Sequence, residues 1–151
     1  MSGKCFVDTD ILVYAHDRSA GKKHLRALML LEQLWGSGWG VVSTQVLEEL
    51  CVHLSRKAAN PLPIEEVTLL IRDYSAWEVV PNTPASVIEA LEIVARHKLP
   101  FWDALILEAA ERSGASILYS EHLATTQRYG AMQVVNPLLD SAVSPGSSNA
   151  R

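Results

Sequence analysis

The sequence predicts an α/β fold in which a mostly parallel central sheet of about four to five strands is flanked by helices. Three observations carry that prediction. Short, apolar, β-prone runs alternate with longer stretches of helical character. The short runs stop abruptly at a charge, a hydroxyl or a proline. The chain, at 151 residues, has the size of one ordinary domain and can bury a core without staples.

The elements follow in order. Cys5 to Val7 reads as a first strand, ending at Asp8, and Thr9 or Asp10 can cap the helix that opens with Ile11, Leu12 and Tyr14. A longer helix runs from Lys22 to Trp35 and stops at Gly36-Ser37-Gly38, before a strand at Gly40 to Val42. Ser43 or Thr44 caps a third helix, where Leu47, Leu50, Cys51 and Leu54 recur at helical spacing and are expected to face the core. Asn60-Pro61-Leu62-Pro63 is a connection, Ile64 to Ser75 a helix, and Trp77 to Val80 a strand closed by Pro81. Pro84 starts a helix reaching about Lys98; after Pro100, Trp102 to Ser113 forms another that Gly114 ends. Ser116 to Tyr119 and Gln133 to Val135 are the remaining strands. One domain is expected over residues 1–140, with the small, polar stretch 141–151 a disordered tail.

Composition narrows the function classes. With 48% hydrophobic and 20% charged residues, the chain has the balance of a globular protein rather than a disordered one. Cys5 and Cys51 sit in separate apolar segments, which excludes a disulfide framework or a zinc cluster and suits a reducing cytoplasm. The start of the chain lacks the apolar stretch of a secretory signal, and no run is long enough to span a membrane, so a cytoplasmic protein is expected. A net charge of -4 argues against a broad phosphate-neutralising surface. Carboxylates that hold a divalent cation are the exception, because the ion turns an acidic site into a phosphate-attracting one.

Several acids stand where chemistry is usually found. In an open parallel sheet the ligand crevice lies beyond the carboxyl ends of the strands, where Asp8 ends the first strand; an ordinary helix cap explains that Asp equally well. Asp10 is the weaker candidate, since capping suffices for it. Asp103 lies in Phe101-Trp102-Asp103-Ala104-Leu105-Ile106-Leu107, apolar surroundings in which an unpaired carboxylate is costly; a first-turn acid favoured by the helix dipole is the plainer alternative. Glu48 and Glu49 both lie off the apolar stripe of the third helix, and periodicity does not separate them. Glu121 and His122 follow the strand ending at Tyr119, again at a carboxyl end, where turn residues are common. Together, acids after two strands and near the starts of two helices fit one crevice. An all-oxygen cluster of that kind selects hard cations such as Mg²⁺ or Mn²⁺ and suits phosphodiester hydrolysis.

These segments match a known pattern. Phe6-Val7-Asp8-Thr9-Asp10-Ile11-Leu12-Val13-Tyr14-Ala15 resembles the opening of PIN-domain proteins, especially the VapC-like toxins. Ser43-Thr44-Gln45-Val46-Leu47-Glu48-Glu49-Leu50 resembles the second motif with its acid at Glu49, and Phe101-Trp102-Asp103-Ala104-Leu105-Ile106 the third with its acid at Asp103. Val135-Asn136-Pro137 is similar to the closing strand, so the likeness runs from about residue 4 to 138. The resemblance implies a Mg²⁺- or Mn²⁺-dependent endoribonuclease with Asp8, Glu49 and Asp103 as catalytic, metal-holding acids. It also implies a homodimer neutralised by a small antitoxin protein. At Tyr119-Ser120-Glu121-His122-Leu123 the family carries an acid where this chain has His122. Either Glu121 or His122 then takes the fourth metal position, or three acids suffice.

Lys22, Lys23, Arg56 and Arg128 are candidate contacts to RNA phosphates, although a solvated surface role explains each of them more simply. Two other classes are open: a non-catalytic PIN-like module binding RNA or protein, and a phosphatase. Asp8-Thr9-Asp10-Ile11 also resembles the Asp-x-Asp start of haloacid-dehalogenase-like phosphatases, a reading that leaves Glu49 and Asp103 unexplained.

Overall fold

The structure, a computed structural model, describes residues 3–123 and 128–139; the tail expected at 141–151 lies outside the described residues. Its strands are β1 (Cys5–Val7), β2 (Gly40–Ser43), β3 (Glu78–Val80), β4 (Ile117–Tyr119), β5 (Arg128–Tyr129) and β6 (Met132–Val135). Flanking them are helices α1 (Thr9–Ala15), α2 (Lys22–Ser37), α3 (Thr44–Val52), α4 (Ile64–Tyr74), α5 (Pro84–His97) and α6 (Phe101–Ser113). The six strands form one sheet in the order β3-β2-β1-β4-β6-β5. All neighbouring pairs are parallel except β5 with β6.

That order places β1 centrally, paired with β2 on one side (Cys5 opposite Gly40) and with β4 on the other (Cys5 opposite Ile117). Successive strands first build outward through β2 and β3, then resume on the opposite side of β1. The carboxyl ends of β1 and β4 therefore flank the switch point at which such sheets open a crevice. Phe6, Val7, Val42, Leu118 and Val134 are wholly inaccessible, as expected for strands covered on both faces.

Three local details differ from the sequence reading. Asp8 caps α1, its carboxylate accepting the Thr9 N–H, as one of the two sequence readings of Asp8 had it, so the helix starts at Thr9 and the caps expected at Thr9 or Asp10 are not used. The antiparallel strand β5 is an addition to the five strands read from sequence: only two residues long, with Arg128 exposed, it has no alternation to betray it. In α3, capped by Ser43, burial is complete at Val46 and Leu50 while Leu47 and Cys51 are partly buried, so the inward face is rotated by about one residue. Beyond Val52 the helix widens into a π-turn, His53–Lys57, in which the Ala58 N–H bonds to the His53 carbonyl.

Packing at the β2 edge depends on a glycine. A Cβ on Gly40 would lie 2.7 Å from two ring carbons of Trp77, and Trp77 is wedged edge-on against Trp35 and Tyr74 at 5.3 Å from each. Gly40→Ala is expected to lower the unfolding free energy by about 1–3 kcal/mol, read from urea denaturation. At the end of α5, Lys98 caps the helix at φ 58° with its N–H on the Val94 carbonyl, a left-handed conformation that strains any residue with a Cβ. Lys98→Gly is accordingly expected to stabilise by about 0.5–1 kcal/mol in the same assay.

Candidate functional site

The switch point of the sheet opens into a cavity of about 730 Å³ lined by Asp8, Asp10, Glu49, Trp102, Asp103 and His122 among others. Asp8 arrives on the last turn out of β1 and is 2% exposed. Its two oxygens are fixed separately, one by the Thr9 N–H at 2.7 Å and the other by the Ser120 hydroxyl, which donates at 2.9 Å from just beyond β4. Burial first, and the neighbouring Asp10 carboxylate second, raise the Asp8 pKa to about 7, against the opposing pull of His122 and of the Ser120 and Thr9 hydrogen bonds.

Asp10 occupies the first turn of α1 and faces the same space. One of its oxygens accepts the Glu121 N–H at 3.1 Å and a His122 Nδ1–H at 2.9 Å. The other, Oδ1, is buried and has no hydrogen-bond partner among the described residues. Asp103, in the first turn of α6, meets the opposite nitrogen of the same ring, with His122 Nε2 at 2.9 Å from its Oδ1. His122 Nδ1 also lies 3.6 Å from Asp8 Oδ2. A neutral imidazole has one N–H, whereas this ring faces a carboxylate on each side, the pattern of an imidazolium. Its pKa is raised to about 10, foremost by the Asp10 hydrogen bond and, against the effect of burial, by Asp8 and Asp103.

Glu49 reaches the cavity from α3. It accepts the Thr9 hydroxyl at 2.6 Å and the Gln45 amide at 3.2 Å, and the same amide nitrogen also bonds to the Trp102 carbonyl. Those bonds tie the starts of α1, α3 and α6 together. Glu48 lines the cavity as well but is exposed.

The predicted residues therefore divide. Asp8 and Asp103 each come within reach of the His122 ring, on its two different nitrogens, and Glu49 is linked to the start of α1 through Thr9. Glu121 turns aside: although burial alone would raise its pKa, Lys23 and Tyr14 bond its carboxylate and hold it low. Lys23 is thereby engaged, and Arg128 bonds to Gln133 and the Ala131 carbonyl. Sequence reasoning undervalued Asp10, for which the Asp-x-Asp spacing after a strand was the available signal, and passed over Ser120, at the carboxyl end of β4.

The carboxylates of the site fit a divalent cation. Ligand atoms of Asp8, Asp10 and His122 all lie within 4.8 Å of one another, and the buried Asp10 Oδ1 has no hydrogen-bond partner among the described residues. The carboxylate oxygens of Asp8 and Asp10 suit a hard ion.

Comparison with known proteins agrees with this architecture. The family model for the PIN domain matches residues 5–126. A search of curated proteins gives no match. Among solved structures, a toxin–antitoxin complex from Klebsiella pneumoniae is similar at TM-score 0.63 and 19% identity, covering 89% of this chain and 98% of that one. VapC20 of Mycobacterium tuberculosis, described as a sarcin-ricin loop cleaving toxin, gives 0.57 and 20%, covering 80% and 91%. DNA-bound VapBC from Salmonella typhimurium gives 0.59 and 17%, covering 89% and 97%. At such identities the structures speak to the fold; the family model, which spans most of the sequence and all of the acids described above, establishes that the chain belongs to the PIN-domain family.

Proposed function

We propose that this protein is an endoribonuclease dependent on Mg²⁺ or Mn²⁺, the toxin of a toxin–antitoxin pair, whose catalytic domain spans residues 1–140. The observation that carries the reading is the gathering of Asp8, Asp10 and Asp103 about the His122 ring in one cavity. Membership of the PIN family and the toxin–antitoxin character of the similar structures support it.

In this reading Asp8, Asp10 and Asp103 hold the cation, with Glu49 positioned beside them. A bound Mg²⁺ or Mn²⁺ supplies Lewis acidity, offsetting negative charge on the phosphodiester and acidifying water. The chain supplies the rest. Ser120 and the Thr9 N–H lock Asp8 in one orientation, so little rearrangement is needed when substrate arrives. Thr9 and Gln45 likewise hold Glu49 as an acceptor facing the cavity, placed to orient a water for attack on phosphorus. Glu121, its carboxylate engaged by Lys23 and Tyr14, is not a ligand in this reading.

The partners follow from the same reading. A small antitoxin protein would cover the cavity, and a reducing cytoplasm suits the free thiols of Cys5 and Cys51. No described helix is long and apolar enough to cross a membrane. On α2, Leu25, Leu28 and Met29 form an exposed apolar stripe suited to pairing two copies. Light scattering behind a sizing column is expected to return twice the 16.6 kDa chain mass, and a monomer at micromolar concentration would remove the homodimer.

One observation favours the alternative of a non-catalytic PIN-like module binding RNA or protein: the imidazole lying between Asp10 and Asp103. Cleavage decides between the two. Purified protein is expected to cut single-stranded or structured RNA with Mg²⁺ or Mn²⁺ and not with EDTA. Asp8→Asn is expected to fall to the EDTA level while its stability stays within about 1 kcal/mol of the parent, because Asn still caps the helix and removes a buried charge. Full activity in Asp8→Asn would overturn the assignment, and a lack of cutting with either metal would favour the binding module.

A further inference from the structure

We infer that the His122 ring is a built-in occupant of the carboxylate cluster, so that a divalent ion and the His122 side chain compete for the same oxygens. The inference rests on the metal-dependent reading above and concerns the one position where this chain departs from its family's acid.

The argument is geometric. A histidine that ligates a metal points a bare ring nitrogen at the ion and leaves the other to a hydrogen-bond acceptor. His122 instead spends both nitrogens on carboxylates, Asp10 and Asp103, at 2.9 Å each, with Asp8 3.6 Å away. Those are the oxygens that a divalent ion needs. The ring thus already stands among three acids that would otherwise repel one another, in the space an ion would take. Two charge-assisted hydrogen bonds must break before the carboxylates can close on a metal.

The surroundings allow such an exchange. The His122 side chain is 48% exposed, and it sits on a bend between Ser120 and Leu123, both buried and both hydrogen-bonded at the base of the turn. Its backbone is therefore anchored while the ring is free on its solvent side. Asp10 Oδ1 is buried and without a hydrogen-bond partner among the described residues, an oxygen that the ring leaves unsatisfied.

Competition and ligation predict opposite signs. Mn²⁺ binding without RNA, measured calorimetrically at one pH, compares the parent with His122→Ala, His122→Gln and His122→Asp. Competition predicts a dissociation constant lower by about tenfold in His122→Ala and His122→Gln, and lower still in His122→Asp, which adds an anionic ligand. In EDTA the Ala and Gln variants should also melt below the parent, with a larger upward shift on adding Mn²⁺. Gln retains bulk and a polar amide, so it keeps the test usable if the Ala variant folds poorly. Weaker Mn²⁺ binding in both variants would make His122 a ligand and overturn the inference alone, and unchanged binding would overturn it equally. Failure of the parent and all three variants to bind Mn²⁺ would instead bring down the metal-dependent reading itself.

Discussion

A carboxylate buried at the end of a central strand is the constraint from which this site follows. Asp8 leaves β1 with almost no exposure, and an ionised carboxylate removed from water costs several kcal/mol unless its charge is met. Each neighbour meets part of that demand. The Thr9 N–H answers one oxygen as a helix cap, the Ser120 hydroxyl the other from the adjoining strand end, and His122 supplies the opposite charge. These partners come from α1 and the turn after β4, so satisfying one buried group fixes the end of β1 against both. Loss of any partner is therefore felt as a structural change as well as a chemical one.

The sheet makes that arrangement possible. Parallel pairing of β1 with β4 in register brings Tyr119 opposite Val7, so the residues immediately following, Ser120 and Asp8, meet without further adjustment. On the other side, β2 runs into α3 through the Ser43 cap, and Gln45 and Glu49, one turn apart, project toward the same opening. Asp103 comes from the other direction, at the start of a helix whose next seven residues are all buried. Its carboxylate lies in the first turn of α6, which lines the cavity together with Ile106. The first-turn position also favours a negative charge through the helix dipole, so the plain structural account of Asp103 and the functional one coexist.

Much of this was legible in the sequence because it is local. Apolar runs, caps and prolines marked five of the strands and all six α-helices, and strand-end position singled out Asp8. Glu49 and Asp103 were assigned through the family likeness, and the structure brings both to the cavity that Asp8 lines. What escaped depends on through-space pairing. Asp10 looked like a cap because its partners, Glu121 and His122, are more than a hundred residues away. Glu121 looked available because nothing in its own segment announces Lys23 and Tyr14 as its partners. The π-turn after α3 is likewise invisible to periodicity, since a five-residue widening does not disturb an apolar count over so short a span. The phosphatase comparison relied on the Asp-x-Asp pair alone, whereas the fold brings Glu49 and Asp103 to the same cavity.

The net charge of -4, taken from composition, argued against a nucleic-acid partner, and the site explains why that argument is incomplete. Charge matters where it is concentrated, and three of the acids are drawn to one point beside a cation that the chain itself provides. A phosphodiester approaching the bare carboxylates would be repelled; one approaching a neutralised cluster would not. In the proposed reading the same acids serve two states. With His122 among them their charges are met by the chain itself, and with a metal in its place they would form a phosphate-binding surface. Stability of the resting protein and readiness for catalysis are opposed at this position, the kind of conflict expected at a functional site rather than in a core.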